Sequence, residues 1–255
     1  MAIQDGPSHI VVVVEENKTY GQIIGNPKAE FINTLAGEGT FFTHYQAITN
    51  PSQPNYIALF SGDQHGVTGN RPVMLTDPTL ADQVEAAGGS FTGFAEDGAK
   101  TAVQPWLSFT TTIDNGANFA SFPTTAAGFD SLPTVSFVAP DSQHNMHSAS
   151  IAKGDAWLRD HLGAYAEWAK THDSLLIVTF DEGHPGNNHV PTIVVGDHVP
   201  VGHVDAPANH YTLLRAIEAE YGLTPLGHAA EQPIVDLQTD HGTGAQPAST
   251  ADWLH

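Results

Sequence analysis

Residues Ile10 to Val14 form an unbroken β-branched run that includes four consecutive valines. A helix accommodates such a run poorly and a strand accommodates it well. With no polar residue to face water on either side, the run predicts a central strand buried on both faces. Similar segments recur at Thr134–Ala139, Leu175–Phe180 and Pro191–Val195, with a weaker one at Ser90–Ala95. Between them lie amphipathic stretches with helical spacing. Ile151 to His172 places Trp157, Leu158, Leu162, Tyr165, Trp168 and Ala169 on one stripe. Asn209 to Tyr221 opens on a good cap and closes at Gly222, and Thr79 to Ala87 closes at Gly88. Alternating strands and helices predict an α/β fold: a three-layer αβα sandwich around a mostly parallel sheet. No apolar run approaches the roughly 20 residues of a membrane span.

At 255 residues the chain suits a single domain over 1–255. The segment 98–133, rich in Thr, Ser, Asn, Gly and Phe, reads as an irregular cap over one sheet end. From residue 225 to 255 the composition turns to Gly, Pro, Ala and Thr, which predicts a surface wrap with a loose end. The 28 acidic residues against 8 Lys plus Arg give a net charge of -20, which argues against nucleic-acid or anionic-membrane partners. The absence of Cys removes disulfides, thiolate metal sites and a cysteine nucleophile together. The 15 His make the charge sensitive to mild acid. Met1 is followed by a polar stretch and not by a secretory leader. The expected location is secreted or in the cell envelope, and a cytoplasmic one stays open.

The strand ends carry the chemistry. The first strand runs into Glu15-Glu16-Asn17, the third into Asp181-Glu182, and the second into Pro140-Asp141 with His144 and His147 behind it. In a parallel sheet the carboxyl ends share one edge, where ligands bind. Carboxylates crowded there repel unless a cation neutralises them. His189, on the loop after Asp181, is placed to fold back over the same edge. Ser52, in Asn50-Pro51-Ser52-Gln53-Pro54-Asn55-Tyr56, reads as a helix N-cap where backbone N–H groups favour an anion. Each residue has a plainer reading taken singly: Ser52 a cap, Asp181-Glu182-Gly183 a turn, Glu15-Glu16-Asn17 a solvated strand end, the histidines surface groups. Joint placement at one edge favours a metal site of hard-to-borderline ligands, for Ca, Mg, Mn, Fe or Zn.

His9 through Tyr20 resembles the opening motif of the phosphoesterase family that contains bacterial acid phosphatases and phospholipases C. Asn50 to Asp63 resembles the nucleophile segment of its acid-phosphatase branch, and further matches run in order to Asn209-His210-Tyr211. The resemblance implies an alkaline-phosphatase-like core and a divalent ion held by Glu16, Asn17, Ser52, Asp181 and Glu182. It also implies that Ser52 forms a phosphoserine, that Asn17 is a catalytic residue, and that His147 and His189 lie near the phosphate or a metal. Where the family has Asn-Asp-Met-His-Asp, this chain has Asn145-Met146-His147-Ser148, with His144 in front. By analogy with two-metal relatives, Asp141, His147 and His189 are candidates for a second ion. The expected activity is a metal-dependent acid phosphatase acting on a small phosphorylated substrate, with His147 or His189 as proton donor. The alternatives are a phospholipase C or phosphodiesterase on the same core, and a non-catalytic metal- or ligand-binding surface protein.

Overall fold

A computed structural model describes residue 3, residues 6–184 and residues 186–239. In chain order its elements are β1 (His9–Glu15), α1 (Tyr20–Ile23), α2 (Glu30–Glu38), β2 (Thr40–Phe42), β3 (Tyr45–Gln46), α3 (Ser52–Ser61), α4 (Leu80–Ala86), β4 (Phe91–Ala95), β5 (Gly116–Asn118), α5 (Ala126–Phe129), β6 (Val135–Ala139), α6 (Ile151–Ala169), β7 (Ser174–Phe180), β8 (Thr192–Gly196), β9 (Gly202–Val204), β10 (Ala208–Asn209) and α7 (His210–Glu220).

Eight strands form one sheet in the order β5-β4-β6-β1-β7-β8-β2-β9. The valine strand β1 lies between β6 and β7, parallel to both, with Ile10 opposite Val135 and Leu175. Ile10, Val11, Val12 and Val13 are fully buried, as a strand covered on both faces requires. β4 and β5 continue the parallel part, whereas β8 runs antiparallel to both β7 and β2. Helices α2 and α6 pack on each other and on β8, and α3 packs against α4 and α7, giving a layer on each side of the sheet.

Helix ends follow local chemistry. Asn209 accepts hydrogen bonds from the N–H groups of Tyr211 and Thr212, and Thr79 from that of Asp82. α6 starts after Ser150 and stops at Ala169, three residues before the stripe's expected end at His172. There the His172 ring pairs with the carbonyl of Trp168. α3 tolerates Pro54 because the first-turn N–H groups lack helical partners anyway, and it closes at Gly62 with φ +77.

Two expectations are corrected. Ser52 is the first residue of α3 and not its cap; Pro51, with extended backbone, holds the cap position. The segment 98–133 does not simply lie over the sheet end, since Gly116–Asn118 adds to the sheet edge beside β4. Its first residues, Lys100 to Val103, do border the carboxyl edge. The wrap beyond 225 crosses the surface through a 3-10 turn at Gly227–Glu231, and its Thr239 N–H donates to the carbonyl of His198. The remaining part of the expected tail, 240–255, lies outside the described residues. Among the described residues no helix is long and apolar enough to cross a membrane.

Candidate active site

β1 and β7 end side by side, with Glu15 opposite Phe180. The next residues therefore meet: the N–H of Asp181 donates to the carbonyl of Glu15 at 3.0 Å. Glu16 leaves the strand and is gripped twice by Asn145. Its N–H donates to the Asn145 carbonyl at 2.7 Å, and Asn145 Nδ2 donates to Glu16 Oε2 at 2.9 Å. Asn17 takes a left-handed backbone, φ +58, which Asn tolerates better than most residues. That bend sends its N–H to Asp181 Oδ1 at 3.1 Å and its Nδ2 to Glu182 Oε1 at 2.7 Å.

Ser52 arrives from α3. Its hydroxyl donates to Glu182 Oε1 at 3.1 Å, and it also stands beside Glu16 and Asp181. Asn50 Nδ2 donates to the other oxygen of Glu182. Asn188 Oδ1 accepts from Asn50 at 3.2 Å and from the N–H of Gly183 at 3.1 Å. Behind the site, His210 Nε2 donates to the Asp181 carbonyl at 2.7 Å, so its Nδ1 accepts from the Tyr45 hydroxyl at 3.0 Å. Burial pushes His210 down to about 4, so it stays neutral and props up the Asp181 backbone.

Three buried carboxylates, Glu16, Asp181 and Glu182, thus surround one hydroxyl. Burial, with Glu182 adding, pushes the Glu16 carboxyl up to about 7, against the pull of Lys100. Burial, with Glu16 and Glu182 adding, holds Asp181 well above the usual carboxylate range. Two buried oxygens, Asp181 Oδ2 and Asn17 Oδ1, accept no hydrogen bond of normal geometry, although the Ser52 hydroxyl stands beside Asp181. Uncompensated acceptors among crowded carboxylates are costly, and a cation held by oxygen ligands relieves both problems. The donor set Glu16, Asn17, Ser52, Asp181 and Glu182 therefore fits a divalent ion.

Next to Ser52 opens a cleft of about 400 Å³, lined by Glu16, Gln53, Asn70, Arg71, Lys100 and His147, among others. Burial and then Lys100 lower the His147 pKa, which favours a neutral imidazole near pH 7. Gly154 lets the first turn of α6 press on the loop that carries Asn145 and His147: a Cβ there would lie 2.4 Å from Met146 Cγ and 2.7 Å from the His144 carbonyl oxygen.

Two expected residues do not join Ser52. His189 Nε2 donates to the Thr43 carbonyl at 2.8 Å, and the ring stacks on Tyr20 with centroids 4.4 Å apart. Neighbouring side chains on an extended segment point opposite ways, so with Asn188 turned to the site, His189 turns from it. Asp141 Oδ1 lies 3.2 Å from His144 Nδ1, which also lies 2.9 Å from Glu96 Oε2. A common ion on Asp141, His147 and His189 is thereby corrected. Instead Glu96, Asp141 and His144 offer ligand atoms all within 4.8 Å of one another, the one such trio of acidic or His side chains among the described residues. Glu16, Asp181 and Glu182 stand wider and are linked through Ser52 and Asn17.

Sequence reasoning missed Lys100 and Arg71 in the cleft, and Glu96. Lys and Arg total only 8 residues, so each one deserved weight as a potential anion contact.

A model of the Phosphoesterase family matches residues 26–224. That span begins after Glu16 and Asn17 but contains the other clustered residues. The chain is 43% identical over 252 residues to the phosphatidylinositol-3-phosphatase of Mycobacterium tuberculosis (strain ATCC 25618 / H37Rv), covering 91% of this chain and 83% of that one. Against a probable acid phosphatase of Kluyveromyces lactis the identity is 24% over 261 residues, covering 89% of this chain and 61% of that one. Against three Penicillium and Aspergillus acid phosphatases this chain spans 52% to 56% of their length. Among solved structures, an alkaline phosphatase superfamily protein from Vibrio parahaemolyticus aligns with TM-score 0.65 at 14% identity, covering 90% of this chain and 71% of that one. The C-terminal periplasmic domain of EcEptC from Escherichia coli, in complex with Zn, aligns with TM-score 0.60 at 12% identity, covering 86% and 84%. The fold is thus similar to that of a protein in the alkaline phosphatase superfamily.

Proposed function

The chain belongs to the phosphoesterase family and is a phosphoric ester hydrolase, and from that premise we propose that it is a metal-dependent phosphomonoesterase working through a phosphoserine on Ser52. The observation that carries this reading is the Ser52 hydroxyl at the first turn of a helix, ringed by three buried carboxylates of which Asp181 keeps an oxygen without a hydrogen bond of normal geometry.

Glu16, Asn17, Ser52, Asp181 and Glu182 would hold the ion. When bound, the divalent ion supplies positive charge that lowers the hydroxyl's pKa and offsets charge on the phosphoryl group. The chain's own residues do the rest. The Ser52 Oγ attacks phosphorus in line with the leaving oxygen, and the P–O bond to the alcohol breaks as the Ser–O–P bond forms. The Ser52 N–H and the positive end of α3 favour the anion there, the Gln53 N–H being taken by Asn70 and Pro54 having none. Glu182, which accepts the hydroxyl's hydrogen bond, orients Oγ and takes its proton as the Ser–O–P bond forms. His147 is the imidazole in the cleft, and in protonated form it donates to the departing alkoxide. Water then hydrolyses the phosphoserine by the reverse geometry. The lowered His147 pKa leaves this acid loaded only in mild acid, which supports an acid-phosphatase assignment.

The phosphatidylinositol-3-phosphatase name of the Mycobacterium relative supports a monoester substrate on a larger alcohol. With this reading goes a location outside the cytoplasm, tested by fractionating cells and assaying each fraction. The catalytic reading is tested by acid-quenching the enzyme during turnover of a labelled phosphomonoester and digesting it. Label is expected on the peptide that carries Ser52; label on another residue, or none under conditions of full turnover, would contradict it.

A further inference from the structure

Two of the chain's few cations stand in the cleft beside the nucleophile. Lys100 and Arg71 both line it together with Ser52, Glu16 and His147, although the chain carries only 8 Lys plus Arg against 28 Asp plus Glu. Both are exposed. Lys170 and Arg159, by contrast, sit on carboxylates at 2.7 Å and 2.8 Å. Among the described residues neither Lys100 nor Arg71 donates a side-chain hydrogen bond or joins an ion pair.

Their placement is built into the fold. Lys100 precedes the 3-10 turn Thr101–Val103 beyond β4, and its charge acts on both Glu16 and His147. Arg71 is tied to the start of α3 through its neighbour: Asn70 Oδ1 accepts from the N–H of Gln53, one residue past Ser52, at 2.9 Å. In so acidic a protein, two cations that line one cleft beside a reactive hydroxyl with no direct ion pair, Lys100 within electrostatic reach of Glu16, are matched to an anionic ligand.

The charge count separates ester classes. A phosphate monoester, with a second pKa of about 6, can present two negative charges, fully so near neutral pH and in mild acid only where neighbouring cations draw off the second proton, whereas a diester carries one throughout. We propose that Lys100 and Arg71 recognise the second charge of the phosphate group and so make the Ser52 site selective for monoesters over diesters. The proposal rests on the reading that Ser52 is the site of phosphoryl transfer, and it names the groups that set substrate class there. Arg71 supplies a planar fork for two phosphoryl oxygens and Lys100 a point charge.

The test measures equilibrium affinity for inorganic phosphate, a near-dianion, and for dimethyl phosphate, a monoanion, by phosphorus NMR titration at pH 7.5 with Mg²⁺ present. It compares wild type with Lys100→Gln, Arg71→Gln and Lys100→Arg. Each glutamine variant is expected to weaken phosphate binding about 10- to 100-fold, the range of one charge-assisted contact. Dimethyl phosphate affinity is expected to change less than about threefold, and Lys100→Arg to keep most of the phosphate affinity. Lys100 also acts on Glu16, but an effect routed through Glu16 weakens both anions together. Parallel losses for the two anions, or unchanged phosphate binding in both glutamine variants, would overturn the proposal. Failure of the underlying reading gives a different result: Ser52→Ala would still turn over a monoester whatever the anion affinities show.

Discussion

Two clusters of acidic and polar side chains share the carboxyl edge of one sheet, and they are finished differently. At the ends of β4 and β6, Glu96 accepts from Trp157 Nε1, from the N–H of Asp141 and from the His144 ring, each at 2.9 Å. His144 also stacks near Trp157, with centroids 6.0 Å apart. Both Glu96 oxygens there have a donor. At the ends of β1 and β7, by contrast, Asp181 Oδ2 and Asn17 Oδ1 are buried without a hydrogen bond of normal geometry. The first cluster is closed by its own hydrogen bonds and reads as a brace between two loops. The second is left electrostatically open, and needs something from outside to close it.

Substitutions that erase or equalise this difference test it. The largest effect is expected for Ser52→Ala, which should lower turnover on the order of 10⁴-fold or more, as loss of a nucleophile does, while thermal unfolding shifts by only a few degrees. Near-wild-type turnover would merge the two clusters into one structural class. Asp181→Asn should reduce kcat/KM roughly 10³-fold, since a charged ligand to the ion is lost. The same change should raise the melting temperature of chelated protein chiefly at high pH, where Asp181 would otherwise be forced to ionise among the other carboxylates. Chelation followed by readdition of a divalent ion should abolish and restore activity in the wild type.

The brace should behave in the opposite sense. Glu96→Gln should cost about 1–3 kcal/mol in a denaturant melt by weakening three contacts, and should leave kcat/KM within about tenfold. A loss of activity as large as that of Asp181→Asn would show that this cluster, too, belongs to the chemistry.

A smaller effect concerns pH. Glu16 is raised to about 7, and Glu15 and Asp181 are raised by burial. Groups with raised folded pKa bind more protons in the folded state, so their contribution is largest in acid and fades as pH rises through about 7. His210, lowered to about 4, acts against them below its ordinary range. Chelated protein should therefore melt a few degrees higher at pH 6 than at pH 8, and a bound ion should shrink that difference, as differential scanning fluorimetry would read. The smallest effect is expected for His189→Ala: with its ring engaged by Thr43 and Tyr20, kcat/KM should change by less than about tenfold.

What could be read in the sequence follows the physics of each element. β1, β6, β7 and β8 lie within a residue or so of their expected bounds because dense β-branched runs leave little choice. The strands Thr40–Phe42, Gly116–Asn118 and Gly202–Val204 span three residues each, too few to show a period. α2 buries only Ile32 and Leu35, so its stripe is faint. The meeting of Glu16 and Asp181 was legible because parallel strands fix where their ends meet, whereas Ser52, on α3, was signalled only by its motif. Asp141 and His189 were misplaced because a turn, or a one-residue alternation along an extended loop, decides where a side chain points, and spacing does not record it. Lys100 and Arg71 lie in aperiodic segments and carry only their rarity as a signal.

Diffraction from crystals of the protein loaded with Mn²⁺, collected with X-rays tuned to the metal's absorption edge, tests the central claim most directly. One anomalous peak is expected between Ser52 Oγ, Asp181 Oδ2 and Asn17 Oδ1, with Glu16 and Glu182 drawn in around it. A loaded crystal with no peak there, or with its only peak on Glu96, Asp141 and His144, would contradict the account.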